Sequence, residues 1–399
     1  MLILGIETSC DETSMALVRE EEGKLEVEKN IVSSQIKIHS KYGGVVPEVA
    51  ARKHVETIFS ILEEFMEDRK KIDVVSVASG PGLITSLLVG AEVARTISCV
   101  WGKPLISVNH VVSHIYANWL EKKTSFPARH ASQLADVTGR PNPSREGRGI
   151  IEFPALCLVA SGGHTELILM NNFGKFEVIG RTLDDAAGEC FDKCAKILGL
   201  GYPGGPAIAA EAVIARSDQR ERRSNPLVSE IEGDCHAPLC STRNDMHLPR
   251  PMLNTPDFNF SFSGLKTAVL YKVRDLTGVG SPASKALEAG LPTVTRSRLA
   301  FEIEEAITEV LVSKTIRAAK KYKVKTIMLA GGVSANKNLR KKMGEAIKAE
   351  LPNTKYQIPD IQYCTDNAAM TAVAGYFYAK AGKFTPWQKL RVDPNWELL

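Results

Sequence analysis

The feature that most constrains the fold of this chain is a strand–turn–strand unit that occurs twice. At the N-terminus, two apolar runs at residues 1–8 and 14–18 flank a polar turn. Near mid-chain the same order recurs, with runs at 155–160 and 166–170 around the turn 161–165. Alternating helix and strand patterns follow each unit. The sequence therefore predicts a duplicated α/β fold in which both turns face a cleft between two lobes.

The length of 399 residues exceeds what one ordinary hydrophobic core organises and indicates two domains. We expect residues 1–108 to form the first lobe, completed by a C-terminal helix at about 366–399, and residues 109–365 to form the second. The stretches 122–149 and 216–247 are polar and charge-dense and lack usable periodicity, so they are predicted to be surface insertions in the second lobe.

Between these landmarks, hydrophobic periodicity and helix-start signals predict the individual elements. The strands are expected at 74–78 and 326–329, and the helices at 47–68, 83–101, 184–198, 298–322 and 366–381. An aspartate pair, Asp184 and Asp185, is expected to cap the third of these helices, and Thr365 the last.

The cysteines and the apolar segments bear on the compartment. The eight cysteines are scattered along the chain without the regular spacing of a disulfide framework, which fits a reducing compartment. No apolar run reaches membrane-spanning length, and Glu7 and Asp11 interrupt the N-terminus too early for a signal peptide. We expect a cytoplasmic protein that does not use a membrane.

His110 and His114 stand four residues apart, directly after the apolar run 104–108. If a strand leads into a helix here, both imidazoles project from one helix face. With a carboxylate from elsewhere they would hold a divalent metal and leave coordination positions open for substrate. Asp366, at a predicted helix start, is the proposed third ligand. Chance spacing of the histidines and a capping role for the aspartate remain the alternatives.

Three glycine turns suggest a ligand site. The turn 161–165 offers backbone amides and two hydroxyls to phosphate or carboxylate oxygens. Residues 331–336 place two glycines before a helix start, and Gly204 and Gly205 form a third turn. Together they favour one nucleotide held between the lobes, although each alone also fits an ordinary turn.

Basic residues are concentrated in one part of the chain, although the net charge is only +4. The cluster comprises Lys314, Arg317, Lys320, Lys321, Lys323, Lys325, Lys337, Arg340, Lys341 and Lys342. Such a patch can contact a phosphate backbone, and the alternative is a set of solvated helix faces.

Several motifs, in order along almost the whole chain, resemble the bacterial TsaD family. These enzymes are the tRNA threonylcarbamoyladenosine transferases, formerly described as O-sialoglycoprotein endopeptidases. The matching segments are 5–13, 42–48, 108–110 with His114, 161–165, 184–193, 202–206, 260–267, 331–336 and 365–367. The two predicted insertions depart from the usual family pattern.

The resemblance implies an actin/Hsp70/sugar-kinase (ASKHA) type fold of two RNase H-like lobes, which agrees with the duplication. It implies transfer of the threonylcarbamoyl group from threonylcarbamoyl-AMP to the N6 amine of the adenosine beside the anticodon of tRNAs that read codons beginning with A. It also implies TsaB-like and TsaE-like partner proteins, and a separate enzyme that makes the adenylate.

By the same resemblance, His110, His114 and Asp366 are the ligands of one divalent metal, with Fe²⁺ the first choice and zinc the alternative. The substrate-binding positions implied are Val159, Ala160, Ser161, Gly162, Gly163, Asp192, Gly205 and Asn336. Of these, Asn336 is expected beside the adenine ring, together with the neighbouring Gly332, and Asp192 at the ribose hydroxyls.

Asp11 and Glu12, on the first-lobe turn, are predicted to take or orient the proton of the attacking amine. Two other activities are considered. A metallopeptidase of the zincin type needs a glutamate next to its first histidine, where this chain has Val111. An ATPase or kinase of the same fold, and a scaffold without activity, are the remaining alternatives.

Overall fold

The computed structural model describes residues 1–120, 151–224, 246–277 and 291–398, without the side chains of 218–224. The predicted insertion at 122–149 lies outside the described residues, as does the greater part of the one at 216–247.

Two similar successions of elements make up the described chain. The first contains β1 (Leu2–Glu7), β2 (Glu12–Glu21), β3 (Lys24–Ser34), α1 (Ile36–His39), α2 (Pro47–Glu63), β4 (Val74–Gly80), α3 (Ile84–Trp101), β5 (Leu105–Asn109) and α4 (His110–Tyr116). The second contains β6 (Ala155–Ala160), β7 (Thr165–Asn172), β8 (Lys175–Arg181), α5 (Ala187–Ile197), α6 (Gly204–Ser224), α7 (Ser263–Thr277), α8 (Thr293–Tyr322), β9 (Thr326–Ala330), α9 (Lys337–Glu350), β10 (Lys355–Gln357) and α10 (Ala368–Lys380).

The two five-stranded sheets have the same topology. Their strand orders are β3-β2-β1-β4-β5 and β8-β7-β6-β9-β10. In each sheet the first three strands are antiparallel, and the later strands run parallel to the first. The predicted duplication is therefore confirmed, and the fold is α/β with two RNase H-like lobes. The domain boundaries at 108/109 and 365/366 stay a prediction.

Each sheet buries apolar side chains on both faces. In the first lobe, side chains of α2 and α3 such as Ile58 and Ile97 cover one face, and side chains of α10 such as Val373 cover the other. In the second lobe, α5, α7, α8 and α9 cover one face of the sheet. The C-terminal helix thus packs on the first sheet although it is remote from it in sequence.

Helix α4 lies between the lobes. Val112 and Tyr116 pack into the core of the first lobe, whereas Val111 and Ile115 pack against the second sheet. All seven residues of α4 are buried. A helix held on both sides in this way has little freedom to change the positions of its side chains.

Three predicted details are wrong. Asp184 does not cap α5, which begins at Ala187 without a side-chain cap, because its carboxylate instead accepts hydrogen bonds at the start of α7. The N-cap of α10 is Asn367 and not Thr365. Residues 216–224 continue α6 as a helix, so that part of the expected insertion is regular structure.

Among the described residues, α3 has the length and mean hydropathy of a membrane span. It carries Glu92 and Arg95, and its residues Ala91, Ala94 and Ile97 are buried in the core of the first lobe. A core helix of a folded domain meets the same criterion, so this helix is weak support for a membrane location.

Candidate functional site

The two histidines of α4 lie one turn apart at the start of the helix, as their spacing predicts. The helix begins after strand β5, and the side chain of Asn109 caps it by accepting hydrogen bonds from the amides of Val111 and Val112. The rings of His110 and His114 meet edge to face with their centroids 4.7 Å apart. The sequence forms a helix here because a capping residue follows an apolar strand directly.

Asp366 completes a group of three. Its Oδ1 lies 3.1 Å from Nε2 of His114 and 3.6 Å from Nε2 of His110. Because Asn367 serves as the cap of α10, the carboxylate of Asp366 is free of that role. Two ligands bound to a tetrahedral ion at 2.0–2.1 Å are separated by roughly 3.3 Å, so these distances suit a shared ion. The group can hold a metal ion.

The hydrogen bonding of His114 supports the same conclusion. Both of its ring nitrogens are buried, and within the described part of the chain Nδ1 has no partner, while Nε2 faces only the carboxylate of Asp366 at 3.1 Å, outside hydrogen-bond geometry. A buried imidazole without partners is costly unless something else binds it. Although burial alone would raise it, the pKa of Asp366 is held below its usual value by His110, His114 and His164. The site therefore keeps a carboxylate and imidazoles, which suit zinc or iron.

Glu7 lies behind His110 and was not predicted to have a role. Its Oε2 is 3.4 Å from Nδ1 of His110, and its carboxylate also accepts hydrogen bonds from the amide of Ser9 and the hydroxyl of Thr371. Although burial lowers the pKa of His110, the carboxylates of Asp366 and Glu7 raise it to about 9. A carboxylate at this position orients a ligating imidazole. The sequence feature that could have identified Glu7 is its charge at the end of an otherwise apolar strand.

His164 is a second neighbour that the sequence did not single out. Burial, together with the charges of His110 and His114, lowers its pKa to about 4, so its imidazole is neutral near pH 7. It sits in the turn between β6 and β7, where its backbone carbonyl accepts a hydrogen bond from the amide of Ser161. The sequence feature that could have identified His164 is its position in the glycine turn that was predicted to face the cleft.

Asp11 and Glu12 lie at the corresponding turn of the first lobe. Burial raises the pKa of Glu12 well above its usual value, and the charges of Asp11 and Asp366 raise it further. Its carboxylate accepts a hydrogen bond from the hydroxyl of Ser34 at 3.3 Å. A carboxyl group in this environment binds a proton readily.

The second-lobe turn presents backbone to open space. Val159 and Ala160 are buried at the end of β6, while Gly162 and Gly163 are exposed, and a side chain at either glycine would meet nothing within 4 Å. Ser161 is tied into the turn, since its hydroxyl accepts a hydrogen bond from the amide of His164. The two glycines, rather than the two strand residues, can therefore touch a ligand.

Asp192 contacts the Gly204 turn and lies within the electrostatic reach of Asp11 on the first-lobe turn. Oδ1 of Asp192 accepts a hydrogen bond of 2.6 Å from the amide of Gly204, while Gly205 faces open space. Burial raises the pKa of Asp192 to about 6, and the charge of Asp11 adds to that effect. The two lobes thus bring acidic groups toward each other.

Asn336 has a structural role that the sequence reading did not anticipate. Its Oδ1 caps α9 by accepting from the amide of Leu339, and its Nδ2 donates to the buried carboxylate of Glu304. The turn before it is close to the site, because Gly331 (φ +83°) packs against the carbonyl of Ala160. Asn336 therefore shapes the turn with both ends of its amide already engaged.

Part of the basic cluster is not available to a phosphate backbone. Lys314 is fully buried and donates to the hydroxyl of Thr255. Arg317 donates to backbone carbonyls of Leu253 and Asp257, and Arg340 to those of Ser334 and Pro359. The prediction that the cluster faces solvent or phosphate was wrong for Lys314, which is buried, whereas Arg317 and Arg340 are partly exposed and use some of their donors within the fold.

Comparison with known proteins identifies a family. The family model for TsaD, tRNA N6-adenosine threonylcarbamoyltransferase, matches residues 26–134 and 142–373 and leaves only 135–141 of the two expected insertions unmatched. The chain is 43% identical to the tRNA N6-adenosine threonylcarbamoyltransferase of Syntrophomonas wolfei, over 96% of this chain and 94% of the relative. It is 42% identical to that of Thermosipho africanus, over 96% of each. The solved structure of YeaZ from Pseudomonas aeruginosa aligns at 11% identity over 44% of this chain and 63% of its own, with a TM-score of 0.25, which is too low to support a conclusion.

Proposed function

The chain belongs to the tRNA N6-adenosine threonylcarbamoyltransferase family and is a transferase. We propose that it moves a threonylcarbamoyl group from threonylcarbamoyl-AMP to the N6 amine of an adenosine in tRNA. This adenosine lies next to the anticodon in tRNAs that read codons beginning with A. The observation that carries this proposal is the convergence of His110, His114 and Asp366, whose ligand atoms lie within 4.8 Å of one another.

One divalent metal, Fe²⁺ with zinc as the alternative, belongs in this proposal. When bound, it would supply a positive charge to the oxygens of the substrate. His110, His114 and Asp366 would hold it, and Glu7 would keep Nδ1 of His110 protonated so that Nε2 is free to bind. The buried nitrogens of His114 support this assignment.

The glycine turn and Asp192 are proposed to bind the adenylate. Amides around Gly162 and Gly163 would donate to its phosphate or carboxylate oxygens, and Asp192 would accept from the ribose hydroxyls. Gly205 leaves room for the nucleotide beside Asp192. Asn336 would act through the turn 331–336 that it caps, beside the adenine ring.

In the transfer step, the N6 amine attacks the carbamoyl carbon, the bond from that carbon to the phosphate oxygen breaks, and AMP leaves with the bonding electrons. The amine loses a proton, and Glu12, assisted by Asp11, is the proposed acceptor because burial raises its pKa. The reaction depends on placing amine and carbonyl together, since the mixed anhydride is already activated.

A peptidase reaction has no support in this site. The glutamate nearest the histidines is Glu7, and it is fully buried behind the ring of His110 with Ser9 and Thr371 as partners. It therefore has no access to a water molecule on the open side of the three ligands. Nothing in the described residues favours an ATPase or kinase over the transferase.

Partner surfaces and location complete the proposal. Val55 and Phe59 on α2 and Ile84 and Leu88 on α3 expose apolar side chains, which suits a helical partner of the TsaB type. A TsaE-like partner rests on the family resemblance alone. The cysteines of the described residues are free thiols, which fits the proposed cytoplasmic location.

The direct test supplies the purified protein and its partners with threonylcarbamoyl-AMP and unmodified tRNA. The digested tRNA is then analysed for N6-threonylcarbamoyladenosine by mass spectrometry. We expect one modified adenosine per tRNA, released with one AMP. AMP release without modified nucleoside would contradict the transfer reaction, and cleavage of a glycoprotein substrate would favour a peptidase.

A further inference from the structure

Helix α2 contains a buried histidine that the proposed reaction does not use. His54 is fully buried, and both of its ring nitrogens have partners on the first-lobe turn. Nδ1 lies 2.8 Å from the hydroxyl of Thr13, and Nε2 lies 3.0 Å from the backbone carbonyl of Cys10. The imidazole therefore contacts the turn immediately before Asp11 and immediately after Glu12.

The partners determine the protonation of the ring. A carbonyl oxygen only accepts, so Nε2 of His54 carries the hydrogen and donates to Cys10. Burial lowers the pKa of His54, so the ring is neutral and its Nδ1 accepts from the hydroxyl of Thr13. Every polar atom of the ring is satisfied in this one arrangement, which leaves the imidazole a single orientation.

We propose that His54 is a positioning residue that holds the Cys10–Thr13 turn in the conformation in which Asp11 and Glu12 face the cleft. The turn is also held by backbone hydrogen bonds, from the amide of Gln35 to Asp11 and from that of Leu83 to Ser9, and by the hydroxyl of Ser34, which donates to the carboxylate of Glu12. His54 is the side chain that joins both ends of the acidic pair to one helix. The inference rests on the proposed function, in which this pair takes the amine proton.

The geometry predicts how variants behave. His54→Leu removes both hydrogen bonds and leaves a buried hydroxyl and carbonyl without these partners. His54→Gln keeps a donor that can reach the carbonyl of Cys10 but offers no acceptor at the position of Nδ1. Thr13→Val removes the other end of the tether. Since His54 and Thr13 act through one contact, adding Thr13→Val to His54→Leu should cost little more.

His39 provides a matched control. It is also fully buried, its Nε2 contacts the side-chain oxygen of Gln35 at 3.2 Å, and its Nδ1 accepts from the amide of Val46. It has the same burial and the same tautomer, but neither of these hydrogen bonds involves the Cys10–Thr13 turn. A general loss of stability should therefore affect His39→Leu and His54→Leu alike. His39 reaches the turn only through Gln35, whose backbone amide donates to Asp11, so loss of turn position should be larger in His54→Leu.

The experiment measures each full-length variant, with partners present, by single-turnover transfer, metal content and amide hydrogen exchange. We expect His54→Leu to lower kcat by roughly 10–100-fold at unchanged KM and metal content, with His54→Gln intermediate and His39→Leu near wild type. Exchange in residues 9–14 should rise at least about tenfold in His54→Leu and clearly less in His39→Leu, as for a local opening.

The outcomes separate the two proposals. A wild-type protein that forms no modified nucleoside would refute the proposed function, while hydrogen exchange in residues 9–14 would still test His54. Equal exchange and equal kcat in His54→Leu and His39→Leu would overturn the positioning role. If His54→Leu does not fold, His54→Gln and Thr13→Val carry the comparison, and wild-type exchange in both would likewise overturn it.

Discussion

Oε2 of Glu7 lies 3.4 Å from Nδ1 of His110, on the side of the ring opposite the Nε2 atom that faces Asp366. The carboxylate is itself held by the hydroxyl of Thr371, from the helix that follows Asp366. One residue thus joins the first strand, the histidine helix and the C-terminal helix. A buried carboxylate in this position selects the tautomer of the imidazole that can bind a metal through Nε2.

Glu7→Gln should weaken metal binding by roughly 10–100-fold without removing any ligand. The amide of glutamine can donate to Nδ1 of His110, which would place the ring hydrogen on Nε2 and block that atom. Titration of the metal-free protein with Fe²⁺ or Zn²⁺ measures the affinity. Thr371→Val, which removes only one hydrogen bond to Glu7, should have a smaller effect, and equal affinity in Glu7→Gln and wild type would disprove the orienting role.

His110→Ala and Asp366→Ala should each strip most of the metal and abolish tRNA modification while the fold is retained. Each change leaves only two of the three ligands, and a two-ligand site holds zinc or iron poorly. Metal analysis of the purified variants, with circular dichroism as the control for folding, checks this. Full metal occupancy in both single variants would remove these residues from the site.

The sequence was sufficient for the local features of the site. A capping asparagine, an apolar strand and a four-residue spacing are contiguous, so Asn109, His110 and His114 could be placed on one helix face before the structure was known. The residues from other parts of the chain that contact this helix could not be predicted. Glu7 is 103 positions from His110, and only the pairing of β1 with β4, and of β4 with β5, brings them together.

The basic cluster is a case in which the sequence could not predict which side chains are exposed. Charge density alone does not tell which lysines of a long helix point inward, and Lys314 lies on the buried side of α8 among Thr255, Asp257 and Phe260. Asn336 was correctly placed at a glycine turn before a helix. Its engagement with Glu304 depends on a helix 32 positions earlier, which periodicity cannot position.

Asp192→Asn should stabilise the protein at neutral pH. Burial raises the pKa of Asp192 to about 6 from an ordinary value of 3.8, so the folded state binds this proton more tightly than the unfolded chain. The stability that the protonated group contributes is present below pH 3.8 and is lost as the pH rises through about 6. Asparagine keeps the acceptor for Gly204 and carries no charge. The gain in free energy of unfolding from Asp192→Asn should therefore grow from pH 5 to pH 8 and reach about 3 kcal/mol at most.

Urea unfolding at pH 5 and pH 8 tests this expectation, with Glu345→Gln on α9 as a control at an exposed carboxylate. An advantage of the asparagine variant that is equal at both pH values would show that the carboxylate of Asp192 is not destabilising. A carboxylate that costs no stability needs no functional reason to be retained. The proposed role of Asp192 at the ribose hydroxyls would then lose the support that a stability cost gives it.

Asn336→Ala should lower the stability of the protein by about 1 kcal/mol through loss of the cap of α9, and should weaken binding of an adenylate analogue without loss of metal. Asn336→Ser keeps a capping oxygen but loses the contact with Glu304, so it should recover most of the stability. Calorimetric titration with a stable analogue distinguishes the mechanisms. If the serine variant is as stable as wild type yet binds as weakly as the alanine variant, the amide of Asn336 contacts the nucleotide directly.

The last prediction concerns tRNA and the lysines of the basic cluster that reach solvent. Lys320 pairs with Glu350 and Lys342 with Glu305, both at 2.6 Å, and Lys341 lies 3.8 Å from Glu345. The Lys342–Glu305 pair is partly buried, but exposed pairs such as the other two contribute about 1 kcal/mol or less, so Lys320 and Lys341 can exchange a carboxylate for a phosphate at small cost. Each phosphate contact adds roughly 0.7–0.9 to the slope of log affinity against log salt.

Changing Lys320, Lys321, Lys341 and Lys342 together to glutamate should therefore reduce that slope by up to about 3 and weaken tRNA binding at low salt, while adenylate binding is retained. The measurement is tRNA affinity between low and moderate salt with the partner proteins present. A control with the same change in net charge reverses Lys24, Lys37, Lys70 and Lys71, which are exposed on the first lobe. If both quadruple variants lose affinity and slope equally, only net charge matters, and if the first matches wild type, these lysines face solvent and tRNA binds elsewhere.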